Sequence, residues 1–108
     1  MEATTTMEAT RRRISYDKLG MVAEIFSGLA HPTRLEILEL LEDGGAYSVG
    51  QILKQIHIDP TLLTHHLTKM KHLGILRSSK QGRNVYYRLD MPEIRDVLEC
   101  IQNCKIKI

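Results

Sequence analysis

The chain contains no tryptophan, a single phenylalanine and only three prolines. Without large aromatics, a core has to be assembled from Leu, Ile, Val and Met. Strong charge of either sign is also missing: 15 Lys and Arg stand against 13 Asp and Glu, a formal net charge of +2. So small an excess does not indicate nucleic acid by itself, and the placement of the charges has to carry that argument. No apolar run approaches the roughly 20 residues that a bilayer-crossing helix needs, and no segment has the layout of a secretory signal, so no membrane partner is expected. Cysteine is scarce, and the two present, Cys100 and Cys104, lie close together near the C-terminus. They make no disulfide framework, and a reducing cytoplasm is the expected location.

What is present suffices for one modest domain: 108 residues, of which 43% are apolar. Residues 1–13 read as a flexible N-terminal tail, 14–104 as the folded domain and 105–108 as a C-terminal tail. Met1 to Thr10 is rich in Thr, Ala and Glu, with no apolar period. Arg11-Arg12-Arg13 is either a solvated lead into the first helix or an arm that touches phosphate. Ser15 can cap a helix running to about Ser27, with Leu19, Val22, Ile25 and Phe26 on one stripe. Pro32 suits the first turn of a second helix, His31 is a structural residue at its start, and Leu35, Ile37, Leu38 and Leu41 face the core until Gly44-Gly45. Ser48 caps a third helix to about Ile56. After His57-Ile58-Asp59, Asp59 before Pro60 starts a fourth: an acceptor for free N–H groups, then a ring already set at helical φ. A short helix, a tight turn and a second helix make a helix-turn-helix. Asp90-Met91-Pro92-Glu93 has the spacing of a capping box for a last helix carrying Ile94, Val97, Leu98 and Ile101.

The stretch from Thr61 to Leu89 narrows the function most. Leu63, Leu67 and Met70 share the core face of the fourth helix, Thr61, Leu62, His65, Thr68 and Lys69 lie opposite, and His66 lies at the edge. That outer face has no carboxylate to repel phosphate. Thr61, Thr64 and His65 can donate or accept at base edges or phosphates, and Lys69 can reach phosphate. Leu62 is the odd member, explained equally by a thymine methyl or by packing at the helix start. Two β-type segments follow, Ile75 to Ser79 and Asn84 to Leu89, around the tip Lys80-Gln81-Gly82-Arg83. Gly82 suits a tight hairpin, and Val85, Tyr86 and Tyr87 favour a strand. Arg77, Lys80, Arg83 and Arg88 make this hairpin basic, as a wing behind a DNA-reading helix should be. The expected contact surface is Ser48, Thr61, Leu62, Thr64, His65, His66, Thr68, Lys69, Arg77, Lys80, Gln81, Arg83 and Asn84.

Three blocks resemble the ArsR/SmtB family of winged-helix repressors: Leu29 to Leu38 (Leu-Ala-His-Pro-Thr-Arg-Leu-Glu-Ile-Leu), Leu63-Thr64-His65-His66-Leu67 with Leu73-Gly74-Ile75-Leu76 behind it, and Gly82 to Leu89 (Gly-Arg-Asn-Val-Tyr-Tyr-Arg-Leu). The likeness runs from about Leu19 to Ile101. It implies a mainly α fold with a small β-hairpin (α+β), the winged helix-turn-helix, dimerising through its first and last helices. It also implies a homodimer that binds a palindromic operator and represses transcription until an inducer is sensed. The family's sensing motifs are poorly matched. Its Cys-x-Cys falls on Ser48-Val49-Gly50, which lacks the thiolates that soft metals need. Its zinc positions fall on Met91, Glu93, Cys104 and Lys107, so no metal and no cofactor are expected there. The thiol-sensing pair has no cysteine before Cys100.

Cys100 and Cys104, four apart and in line with Glu93, have two readings. They are small fillers at a dimer seam, or a thiol switch or soft-metal site completed by the second subunit. The competing function is a winged-helix module that binds protein with little DNA specificity. Catalysis is not expected, because no carboxylate or nucleophile stands at a useful spacing from His65-His66.

Overall fold

A computed structural model describes residues 12–106 of the chain. The readings of residues 1–10 as a mobile tail, of Arg11 and of Lys107 lie outside the described residues. Among the described residues, five helices and a small sheet follow in order: α1 Tyr16–Leu29, α2 Pro32–Leu41, β1 Tyr47–Ser48, α3 Val49–Gln55, α4 Pro60–His72, β2 Leu76–Gln81, β3 Asn84–Leu89 and α5 Ile94–Gln102. No helix among the described residues is long and apolar enough to cross a membrane.

The local starts follow the cap chemistry. The Ser15 side chain accepts from the Lys18 amide at 3.1 Å, and the His31 ring accepts from the Thr33 amide through Nδ1 at 3.1 Å, just before Pro32. Ser48 and Gln51 form a reciprocal capping box at α3. Asp59 Oδ2 accepts from the amides of Thr61 and Leu62 at 3.0 and 3.2 Å. α4 ends as sharply as it begins. The Ile75 amide donates to the Met70 carbonyl, the Gly74 amide donates to that of Lys71, and Gly74 takes φ +79°, which is a Schellman stop. The chain is thus aimed directly from α4 into β2.

Ile37, Leu38 and Leu41 of α2, Ile52 of α3, and Leu63, Leu67 and Met70 of α4 are fully buried in one cluster with Ile75 and Leu76. At about 1.5–3 kcal/mol for each large aliphatic side chain taken out of water, this cluster holds the helix-turn-helix to the hairpin. The hairpin is longer than expected. Gln81 pairs with Asn84, so the strands run on to a two-residue turn, Gly82-Arg83. Gly82 takes φ +63° at the first turn position and Arg83 takes no positive φ, the pattern of a II′ turn.

Three expectations need correction. First, a third strand exists: β1 pairs antiparallel with β3, Tyr47 opposite Tyr87 and Ser48 opposite Tyr86, giving the order β1-β3-β2. Two residues are too few to show a strand pattern, and the pairing is dictated by the free edge of β3. The Tyr47 hydroxyl also donates to Asp43; this bond, with the Gly45 amide, holds the Asp43 carboxyl below its usual range. Second, no capping box forms at α5, whose N-cap is Glu93 with no side-chain cap bond. Asp90 is taken instead by Arg77, at 2.9 Å. Third, α5 ends at Gln102, so Cys104 lies beyond the helix rather than one turn along it from Cys100. The α1 stripe is left largely open by one chain: Leu19 and Phe26 are exposed, and Val22 and Ile25 are half-buried.

Candidate nucleic-acid interface

The thirteen residues of α4 make a rod about 20 Å long and, with side chains, about 10–12 Å across, which matches a major groove roughly 12 Å wide. Thr61, Leu62, Thr64, His65 and Lys69 are exposed and Thr68 is half-buried, so one face of the helix carries these six side chains together. No Asp or Glu occurs between Pro60 and His72, while Lys69, Lys71 and His72 stand in the last turn. The carboxylate that directly precedes the helix, Asp59, is engaged by the helix N–H groups. Leu62 is 46% exposed, which rules out packing at the helix start as the full account of this residue.

His66 does not belong to that face. It is 3% exposed, and it lies only about 40° around the helix from fully buried Met70. Its Nδ1 accepts from Nε of Arg34 at 2.9 Å, and its ring lies 4.6 Å from that of His31. Burial, then the neighbouring His31, Arg34 and His65, depress its pKa below the ordinary imidazole value. The helical angle was legible in the sequence, but the covering partners come from α2, some thirty residues upstream. Arg34 is the residue that sequence reasoning missed.

Ser48 is half-buried and its hydroxyl oxygen is occupied as a cap acceptor, although the hydroxyl proton can still be donated. Its pairing with Tyr86 ties the start of the helix-turn-helix to the wing.

The wing's cations divide into two groups. Arg77 and Arg88 sit opposite each other at the base. Arg77 donates to Asp90 through Nε and Nη2, and Arg88 donates to the Gly44 carbonyl at 3.4 Å. Lys80 and Arg83, at the tip, have no hydrogen-bond or ion-pair partner among the described residues. By strand alternation, Gln81 and Asn84 share the outer face with Ser79 and Tyr86, while Lys80 leaves from the other face. The tip therefore presents donors on both sides.

The candidate sensing set is not assembled within one chain. Cys100 and Cys104 are both exposed and free, and no group of three metal-ligating side chains occurs among the described residues. Glu93 lies two helical turns before Cys100, roughly 10 Å along the axis.

Comparison with known proteins fits this geometry. A model described as "Bacterial regulatory protein, arsR family" matches residues 31–78. An uncharacterized HTH-type transcriptional regulator of Methanocaldococcus jannaschii is 33% identical over 86 residues, covering 79% of this chain and 96% of that protein. The crystal structure of the transcriptional repressor PagR of Bacillus anthracis superposes with a TM-score of 0.72 at 29% identity, over 81% of this chain and 99% of that one. The antimony-specific transcriptional repressor AntR superposes with a TM-score of 0.76 at 28% identity, over 85% and 83% of the two chains.

Proposed function

The chain belongs to the arsR family of bacterial regulatory proteins, DNA-binding transcriptional regulators of the winged helix-turn-helix fold, and from that premise we propose a homodimeric repressor that an inducer releases from a palindromic operator. The observation that carries the DNA reading is the acid-free outer face of α4 backed by two unpaired cations at the wing tip. In this reading α4 enters the major groove. Thr61, Thr64 and His65 meet base edges, Leu62 meets a thymine methyl, and Lys69, Lys80 and Arg83 neutralise phosphates. Residues 14–104 are the DNA-binding domain.

Dimerisation is supported by the apolar surface that one chain leaves uncovered on α1 and α5: Leu19, Met21, Phe26 and Ile101. Two copies joined along these helices would set the two α4 helices side by side, facing half-sites about one helical turn, or a multiple of it, apart. The protein acts on DNA, and the cytoplasm is the expected compartment.

The inducer reading concerns the two exposed thiols. A thiol-reactive species or a soft metal would meet Cys100 and Cys104 together with the same pair from the second subunit, at the end of the helix that forms the seam. Operator affinity measured with and without arsenite or mild oxidant checks this: a response in wild type that the Cys100→Ser, Cys104→Ser double variant lacks is expected, and equal responses would leave the cysteines as seam residues.

The experiment for the DNA reading is a salt titration of duplex binding, with random and genome-selected sequences side by side. Phosphate neutralisation makes affinity fall linearly on a log–log scale, with a slope of about −0.9 per contact. A flat salt response would instead favour a protein-binding module.

A further inference from the structure

His66 is the one buried polar or charged side chain among the described residues. It sits in the middle of α4, and a short chain of bonds leads from it to a different helix. The Arg34 guanidinium donates from Nε to His66 Nδ1 at 2.9 Å and from Nη1 to the Gly28 carbonyl at 3.1 Å. Gly28 lies in the last turn of α1. It also packs against the end of α4, where an added Cβ would fall 2.2 Å from Cδ1 of Leu73. The last turn of α1 therefore touches α4 twice, through Arg34 at the middle and through Leu73 at the C-cap.

The chemistry of this chain of bonds is one-directional. Arginine has only donors, so His66 must offer a lone pair at Nδ1 and carry its single proton on Nε2. That Nε2 is buried without a partner among the described residues. A second proton could go only to Nδ1, where it would meet the Arg34 N–H donor against donor. The groups that bear on His66 are His31 at the N-cap of α2, Arg34 within α2 and His65 of its own helix, none of them anionic. α1 contributes the neutral Gly28 carbonyl through Arg34.

We propose that Arg34 and His66 are positioning residues for DNA recognition: neutral His66, gripped by Arg34, fixes α4 against the end of α1, and protonation of His66 opens that clamp and lowers operator affinity. This rests on the reading of α4 as the DNA-contacting helix. The sign follows from competition for one lone pair. Above the ordinary imidazole value of about 6.5 the clamp is closed, and it is lost as pH falls through the depressed folded value. Because α1 also carries the uncovered apolar surface, the clamp joins the seam helix to the reading helix through one guanidinium.

The test compares wild type, His66→Asn and Arg34→Gln on a duplex enriched by selection with the wild-type chain. The asparagine carbonyl sits where Nδ1 does and accepts from Arg34 without titrating. Wild type is expected to lose more affinity than His66→Asn as the pH falls below about 6.5, the excess approaching tenfold for each further pH unit once the pH is below the folded value of His66. Arg34→Gln should bind more weakly at neutral pH and lack the acid-dependent drop. Ring ¹⁵N spectra of the wild-type chain give a readout independent of any variant: a His66 ring protonated on Nε2 alone at neutral pH is expected. Superimposable pH curves for wild type and His66→Asn with DNA binding intact, or a His66 proton found on Nδ1, would overturn the clamp. Absence of any duplex binding at neutral pH would take down the DNA reading and the proposal together.

Discussion

α4 and α5 are both amphipathic, yet one chain completes only the first. Leu63, Leu67 and Met70 of α4 lose all contact with solvent, and what remains outside is polar or basic apart from Leu62. On α5 only Ile94 is comparably buried; Val97 and Leu98 are half-covered, and Ile101 stays 49% exposed. α1 beside it leaves Phe26 53% exposed. α4 is thus fixed by its own chain's core and shows a finished, mostly polar surface. α1 and α5 show an unfinished one, which a second copy would complete in the proposed dimer. Base recognition needs the first condition, because side chains must be placed to a fraction of an ångström. Pairing with a second copy, as proposed, needs the second.

Substitutions that should separate these two conditions begin with the largest effect. Leu67→Ala removes a fully buried side chain beneath the reading face and is expected to cost about 2–5 kcal/mol of folding stability, read by denaturant unfolding. Ile101→Asp should leave the melting of a dilute chain nearly unchanged while shifting its sedimentation from dimer to monomer and abolishing tight operator binding. If instead Ile101→Asp unfolded the chain as Leu67→Ala does, α5 would belong to the core and the contrast would fail. His65→Ala lies on the finished surface. It should leave folding intact, cost about 1–3 kcal/mol on the selected duplex and relax sequence preference, measured by competition with random DNA. Unchanged selectivity would remove His65 from base recognition.

What could be read from the sequence follows the range of the interactions involved. The caps at Ser15, Ser48 and Asp59 act within about one turn, and the periodic burial of Leu63, Leu67 and Met70 needs only the helix. These were legible. So was the wing, through Gly82 and the β-branched and aromatic run behind it. The failures are contests decided by a distant partner. Asp90 has the spacing of a cap but binds Arg77, thirteen residues before it. His66 shares a basic-looking helix with exposed His65, and only Arg34 and His31 of α2 make it an interior residue. β1 is a strand because β3 has an edge to pair. A signal for the histidine did exist: its angle, about 40° around the helix from core-facing Met70.

The smallest effects lie in the wing, where two arginines on one hairpin should differ. Arg83 occupies the turn with no partner among the described residues, whereas Arg77 is forked onto Asp90 at 2.9 and 3.2 Å. An exposed pair of this kind contributes only about 0.2–1 kcal/mol to folding, but it occupies the cation. Arg83→Ala should therefore shallow the log–log salt slope of duplex binding by about one unit, equally for selected and random sequences. Arg77→Ala should shallow it by less than half as much. Asp90→Asn gives the converse test, because it frees the Arg77 guanidinium without removing it. If Asp90 is what keeps Arg77 from the phosphates, that variant should bind every duplex more tightly and with a steeper salt slope than wild type. Were Arg77→Ala to match Arg83→Ala, and Asp90→Asn to change nothing, Arg77 would already leave Asp90 when DNA is bound. The division between tethered base and free tip would then hold only for the unbound wing.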